Sequence, residues 1–286
     1  MPSSYSPLRY PGGKSSLAHF LMRVIHLNKL EGGCYAEPFC GGAGAALSLL
    51  YSGIVDKIIL NDADPAIYSF WWALLTYPEE FLRLVRDTPL TIDEWKKQKI
   101  YFQKCKSQTI ELGFATFFLN RCNRSGILSA NPIGGINQTG KWLIDARFNR
   151  KTLIQKLERI VSKKENISIS NLDIFIFLDE LNTNIERLFV YLDPPYIVHG
   201  PKLYLNSFTI EQHIALADRV KNIKKLQWIM TYDNTEFVNT LYSDCTVIPF
   251  AINHQAYKAQ KSSELLIHPK NLLVRDTPVP KYILNL

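Results

Sequence analysis

Short apolar runs alternate with helix-spaced stretches along most of the chain, and this alternation is the feature that most limits its possible folds. After Gly12-Gly13-Lys14, apolar residues at Leu17, Phe20, Leu21, Val24 and Ile25 take the spacing of one helical face, with Ser15 or Ser16 as the expected N-cap. An extended run at Tyr35-Ala36-Glu37 breaks into the turn Phe39-Cys40-Gly41-Gly42-Ala43-Gly44, and a helix of small residues follows. Lys57 to Leu60 reads as the next strand, ending at Asn61-Asp62-Ala63-Asp64-Pro65, with a helix from Ala66 to about Leu75 that accommodates Pro65 in its first turn. Residues 77 to 123 are mostly helical in pattern, whereas Gly126, Pro132, Gly134, Gly135, Gly140 and the β-prone Lys141-Trp142-Leu143-Ile144 predict a hairpin-bearing loop over 125 to 148. Strand-like Ile167–Ser170, Leu188–Leu192, Leu226–Thr231 and Thr246–Phe250 then alternate with helical stretches at Asp173–Leu181, Thr209–Asn222 and Thr235–Tyr242. The expected fold class is α/β: a doubly wound, mostly parallel sheet carried by residues 1–76 and 150–286, interrupted by a helical and hairpin insertion at 77–149.

Composition agrees with a globular protein. The 286 residues are 47% hydrophobic and 21% charged, which excludes a disordered tail or a fibre. A chain of this length buries roughly three quarters of its unfolded surface and needs no covalent staple. Five cysteines without a C-x-x-C spacing, and no signal-like segment ahead of Arg9, are those expected of a reducing cytoplasm. No apolar run approaches the roughly 18 to 20 residues that cross a bilayer. The six histidines form no H-E-x-x-H or other metal-like cluster, so no metal is expected. A net charge of +7 favours a polyanionic partner, because each cation placed near a phosphate releases a counterion.

The chemistry concentrates at Asp193-Pro194-Pro195-Tyr196, directly after an apolar strand. Ligands of open α/β sheets bind beyond the carboxyl ends of strands, and two prolines hold the turn rigid. An acid, a fixed carbonyl and an aromatic face suit a planar base bearing an amino group; a merely stiff loop is the structural alternative. In the glycine turn, residues without a Cβ admit a ligand close to the backbone, although tight packing would need the same residues. About twenty residues on, Asp62 stands where an acid bonds ribose hydroxyls in nucleoside-binding folds; Asp64 could be the ligand instead, or both could cap the following helix. Gly12-Gly13-Lys14-Ser15 is not a phosphate-binding P-loop, since Leu8 stands where its first glycine belongs and no strand precedes it.

Arg9-Tyr-Pro-Gly-Gly-Lys14, Glu37-Pro-Phe-Cys-Gly-Gly-Ala-Gly44 and Asp193-Pro-Pro-Tyr196 stand in the order of the Dam-type, alpha-group DNA adenine methyltransferases, which the chain resembles. Further blocks at Asn61-Asp62, Ile67–Trp71, Phe117–Arg121, Ile133–Gly135, Arg147–Asn149, Asn171–Asp173 and Glu264–Ile267 extend the resemblance over nearly the whole sequence. It implies a Rossmann-like fold that moves a methyl group from S-adenosyl-L-methionine to the exocyclic N6 of a flipped adenine in double-stranded DNA. The implied cofactor set is Tyr10, Gly12, Lys14, Glu37, Pro38, Phe39, Gly41, Gly42, Asp62, Asp173 and Asp193, with Asp62 on the ribose and Asp173 on the adenine. Tyr10 as a core residue, Lys14 in a surface ion pair and Asp173 as an N-cap are the structural alternatives. Asp193, Pro194, Pro195 and Tyr196 are the implied catalytic residues. DNA contacts are expected from Asn120, Arg121, Arg124, Ser125, Asn137, Arg147, Asn149 and Tyr204, with Arg150 beside Arg147 as a further phosphate contact. The loop from Val198 to Ser207, followed by Phe208, is expected to close over the flipped base.

One departure bears on specificity. Members that read GATC resemble Tyr-Asn-Gly followed by a guanine-reading Arg three residues past the glycine, whereas this chain has Arg124-Ser125-Gly126 and then Ser129. The target sequence therefore stays open. Methylation of a non-DNA amine and a DNA-binding subunit without turnover are the competing readings, and a restriction or defence partner is compatible with the family.

Overall fold

The computed structural model describes residues 5–9, 17–104, 108–181, 184–197, 208–223, 226–254 and 260–275. In chain order the elements are α1 (Ala18–Leu27), β1 (Gly33–Glu37), α2 (Gly44–Tyr51), β2 (Val55–Asn61), α3 (Pro65–Thr76), α4 (Pro78–Asp87), α5 (Ile92–Lys104), α6 (Ile110–Cys122), α7 (Arg150–Val161), β3 (Ile167–Ser170) and α8 (Ile174–Glu180). There follow β4 (Leu188–Leu192), α9 (Ile210–Asn222), β5 (Gln227–Asp233), α10 (Glu236–Leu241), β6 (Thr246–His254) and β7 (Gln260–His268).

The strands form one seven-stranded sheet in the order β3-β2-β1-β4-β5-β7-β6. The first five pair in parallel, and β7 runs antiparallel to both β5 and β6. An order of 3-2-1-4-5 reverses direction between β1 and β4, which makes their carboxyl ends the topological switch point where such sheets bind ligands. All five residues of β4 are buried, because helices cover both faces of this central strand. Phe189 and Tyr191 enter the core on the side of α1 to α7, while Leu188, Val190 and Leu192 enter the core on the side of α8 to α10.

The segment 77–149 packs into the first of these cores. Phe81 of α4 and Phe114 and Phe117 of α6 join Phe70 of α3 in an aromatic cluster, with Phe70 and Phe117 stacked at 5.8 Å. Gly113 permits this contact, since a Cβ there would stand 2.4 Å from the Ser69 carbonyl oxygen.

Four elements differ from the sequence expectation. No strand pair forms between 124 and 149; an isolated bridge joins Asn123 to Pro132, and turns carry the rest. Lys141, Trp142 and Leu143 are exposed and only Ile144 enters the core, so the β-prone run lacks the alternating buried face of a strand. The Gln138 side chain laces the turns instead, donating to the carbonyls of Ile133 and Gly135 and accepting from the Ile144 amide. Helix α7 and strand β7 are additional elements, the latter closing the far side of β5 in the antiparallel sense. Helix α1 begins after Leu17, which makes no side-chain cap; Ser15 and Ser16 lie outside the described residues.

Candidate active site

Strand β1 ends at Glu37, and the chain then turns through Pro38 to Gly44 under restraints from the β2 end. Asn61 donates to the carbonyls of Pro38 and Leu172, both at 3.1 Å, and accepts from the Leu172 amide at 2.9 Å, so one amide side chain ties three loops together. Asp62 takes the Gly41 amide on Oδ2 at 2.8 Å and the Asp64 amide on Oδ1 at 3.0 Å. Trp71 on α3 donates its indole N–H to the Gly41 carbonyl at 2.9 Å. Gly41 needs its backbone freedom, having φ of 45°. At Gly42 the missing Cβ serves packing: the space is taken by Ser6, whose Oγ would lie 2.6 Å from it. The tight packing that the sequence left open as an alternative thus holds at Gly42.

The two acids after β2 divide their tasks. Asp64 caps α3, accepting from the Ala66 amide at 2.9 Å. Asp62 braces the glycine turn, and burial pushes its carboxyl up to about 7 against the opposing pull of the Asp64 and Gly41 amides. Asp173 caps α8 from an exposed position, accepting from the Phe175 amide at 2.8 Å.

Across the switch point stands the Asp193 turn. Thr231, near the carboxyl end of β5, donates to Asp193 Oδ1 at 2.7 Å, and the Tyr191 hydroxyl lies 2.7 Å behind Thr231 Oγ1. The Tyr196 phenol donates to Asp193 Oδ1 at 3.4 Å. Its ring stacks on Tyr232 at 6.4 Å, and Tyr232 in turn bonds His213 of α9. The Ile197 amide donates to Asp233, which anchors the far end of the turn. Phe39 meets Phe208 edge to face at 6.0 Å, so Phe208 is half-buried against the glycine turn. Tyr204 and the loop 198–207 lie outside the described residues, as do Tyr10, Gly12 and Lys14.

The site is electrically acidic. Glu37 is only 5% exposed, and its Oε2 has no hydrogen-bond partner among the described residues. Burial, then the Asp193 charge, holds its carboxyl well above the usual carboxylate range. The same causes raise the Tyr196 phenol, which remains a donor at any working pH. A buried carboxylate oxygen without a partner beside a second acid is a place for a cationic, hydrogen-bond-donating ligand group.

Residues 5–9 are held by α6 and its neighbours. The Asn120 side chain accepts from the Arg9 amide at 2.7 Å and donates to the carbonyls of Arg9 at 2.9 Å and Gly126 at 3.0 Å. It is 2% exposed, and its amide is bonded inside the protein. Arg121 likewise turns inward, its guanidinium bonding the carbonyls of Arg147 and Pro7, and burial beside Arg9 and Arg147 lowers it to about 10. Lys156 holds the Ser6 carbonyl at 3.1 Å. Arg150 bonds the carbonyls of Val85, Arg86 and Thr88 at the end of α4, a helix-capping task. Arg124, Asn137, Arg147 and Asn149 are exposed, and Ser125 is half-buried. Asn149 additionally caps α7 through the Thr152 amide. Sequence reasoning missed Thr231 and Tyr191. A hydroxyl directly after the apolar run Trp228-Ile229-Met230 of β5 was the available signal for Thr231.

A doubly wound sheet whose switch point is flanked by Glu37 with its glycine turn and by Asp193-Pro-Pro-Tyr196 has the architecture of a Rossmann-like methyltransferase. The chain belongs to the D12 class N6 adenine-specific DNA methyltransferase family, whose sequence profile matches residues 10–259. It is by that membership an adenine-specific DNA methyltransferase. A direct comparison with curated protein sequences finds no match. Among solved structures, a Pyrococcus horikoshii protein assigned as an RNA methyltransferase is 11% identical, with 91% of this chain and 85% of that chain covered at a TM-score of 0.40. A Listeria monocytogenes protein assigned as a class I S-adenosylmethionine-dependent methyltransferase is 12% identical, with 93% and 62% covered and a TM-score of 0.39. A conserved hypothetical protein of Streptococcus pyogenes is 11% identical over 85% of this chain and 89% of that chain, at 0.35. The family match, and not these distant likenesses, assigns the chain. Among the described residues no helix is long and apolar enough to cross a membrane.

Proposed function

We propose that the protein methylates N6 of an adenine turned out of duplex DNA, using S-adenosyl-L-methionine as donor. The observation that carries the reading is the pairing of Asp193, held at the end of β4, with Glu37, whose buried Oε2 has no partner among the described residues across the switch point. That acidic pair fits a donor carrying a sulfonium and an ammonium group. Glu37 receives the ammonium with Pro38, Phe39 and Gly41 around it, Asp62 the ribose hydroxyls and Asp173 the adenine edge, while Tyr10, Gly12 and Lys14 border the same ligand. Bound there, the cofactor supplies an electrophilic methyl group.

Asp193 and the Pro194 carbonyl accept the two N–H bonds of the target amine, and Pro195 keeps the turn stiff. The amine nitrogen is a poor nucleophile while its lone pair conjugates with the ring. Two acceptors outside the ring plane favour a pyramidal nitrogen, which frees that lone pair for attack. Asp193 then takes the proton that the methylated nitrogen sheds. Tyr196 stacks on the base and offsets part of the flipping cost, since stacking contributes about 1–3 kcal/mol per base. Residues 1–76 and 150–286 form the catalytic part, and 77–149 reads the target through exposed Arg124, Ser125, Asn137, Arg147 and Asn149. Tyr204 and the loop around it cover the flipped base. The protein works in the cytoplasm, with a restriction or defence partner as the setting that would give the methylation a use.

Transfer of labelled methyl from S-adenosylmethionine into duplex DNA, RNA and protein tests this. Wild type should label adenine in duplex DNA, and Asp193→Ala should reduce the rate by at least about a hundredfold. Equal labelling by Asp193→Ala, or labelling confined to RNA or protein, overturns it.

A further inference from the structure

Asp193 lies one residue beyond β4, so no sheet hydrogen bond sets its side-chain direction. The register of β4 on β5 pairs Leu192 with Met230, which brings the next residue of β5, Thr231, level with Asp193. Thr231 and Tyr191 are both fully buried. A threonine hydroxyl has one proton. Because Thr231 Oγ1 gives it to Asp193 Oδ1 at 2.7 Å, the Tyr191 hydroxyl, also at 2.7 Å, must donate to Thr231. The relay therefore has one direction: Tyr191 O–H to Thr231, Thr231 O–H to Asp193. Threonine is stiff about χ1, so a donor placed this way fixes the carboxylate it bonds.

We propose that Thr231, oriented by Tyr191, is a positioning residue for the methyl transfer: it locks the rotamer of the Asp193 carboxylate so that the carboxylate meets the target amine. The inference rests on the reading that Asp193 accepts that amine. Among the described residues, the other groups that face Asp193 include Tyr35 and Glu37 from β1, Tyr191 from β4 and Tyr196 from its own turn. Glu37 opposes a charge on Asp193, whereas the Thr231 donor favours it. Loss of that donor thus raises the pH at which Asp193 becomes an acceptor.

The experiment compares wild type, Thr231→Val, Thr231→Ser and Tyr191→Phe for kcat, for KM toward duplex DNA and for the pH profile of kcat. Thr231→Val should lower kcat about ten- to a hundredfold, the range for groups that orient a reacting side chain, and should move the acid limb of the profile to higher pH. KM for DNA should stay within about twofold, and Thr231→Ser should recover most of the rate, which a general loosening of the fold would not produce. A Thr231→Val enzyme with the wild-type kcat and acid limb overturns the inference, as does a Thr231→Ser enzyme as slow as Thr231→Val. Should Thr231→Val fail to fold, Tyr191→Phe decides: a fall in kcat at unaltered KM supports the relay, and an unaltered kcat overturns it. A wild type that leaves adenine unlabelled overturns the proposed function itself, so the two failures are distinguishable.

Discussion

Asp62 shows how a ligand candidate can carry a structural task at once. Its carboxyl is pushed up to about 7 by burial, against about 3.9 for an unfolded aspartate. The folded chain therefore binds this proton more tightly than the unfolded one. The resulting stability is complete below about pH 4 and is lost as pH rises toward about 7, with an upper bound of about 4 kcal/mol. Asp62→Asn removes this dependence, so the melting temperature of the variant should rise relative to wild type between about pH 4 and 7 and then run parallel. A constant difference over that range would show that Asp62 is not a buried titrating group. Asp62 was legible from its distance to the glycine turn and its place at a strand end. Its bonds to Gly41 and Asp64 were not, because side-chain acceptors are assigned by three-dimensional proximity.

At the scale of elements, α6 and the turn after it act as the clamp for residues 5–9. Gly126 has φ of +76°, and a Cβ on it would stand 2.4 Å from the Arg9 carbonyl oxygen. Gly126→Ala should cost about 1–3 kcal/mol in chemical denaturation, from backbone strain and the forced retreat of Arg9. An unchanged midpoint would mean that the segment is not gripped there. Asn120→Ala should lower stability by about 2 kcal/mol or more, because the buried Arg9 amide and carbonyl lose their partner. It should also weaken cofactor binding, measured by calorimetry, since residues 10–14 follow directly. The helical character of 77–123 was readable in its apolar spacing, and so was the strand at Leu188–Leu192. The absence of a hairpin over 125–148 was not, because Trp142 and Leu143 look like strand residues until nothing is found to pair with them.

For the whole molecule, the charge of +7 acts through the cations exposed to face a polyanion. Arg124 and Arg147 are exposed, whereas Arg121 and Arg150 are engaged by carbonyl groups. Arg124→Gln and Arg147→Gln should each weaken duplex binding and reduce the slope of log K against log salt by about 1. Arg150→Gln should instead lower the melting temperature and leave the slope unaltered. A slope change for Arg150→Gln equal to that for Arg147→Gln would reverse this division.

The alternation of apolar strands and amphipathic helices, and the order of the glycine and Asp-Pro-Pro-Tyr turns, were determined by the sequence, because periodicity and turn chemistry are local properties. Which arginines remain available and which residue steers Asp193 were decided only by the tertiary structure. A guanidinium or a hydroxyl finds its partner through chain crossings that bring together residues far apart in sequence, as Arg9 and Asn120 or Asp193 and Thr231 are.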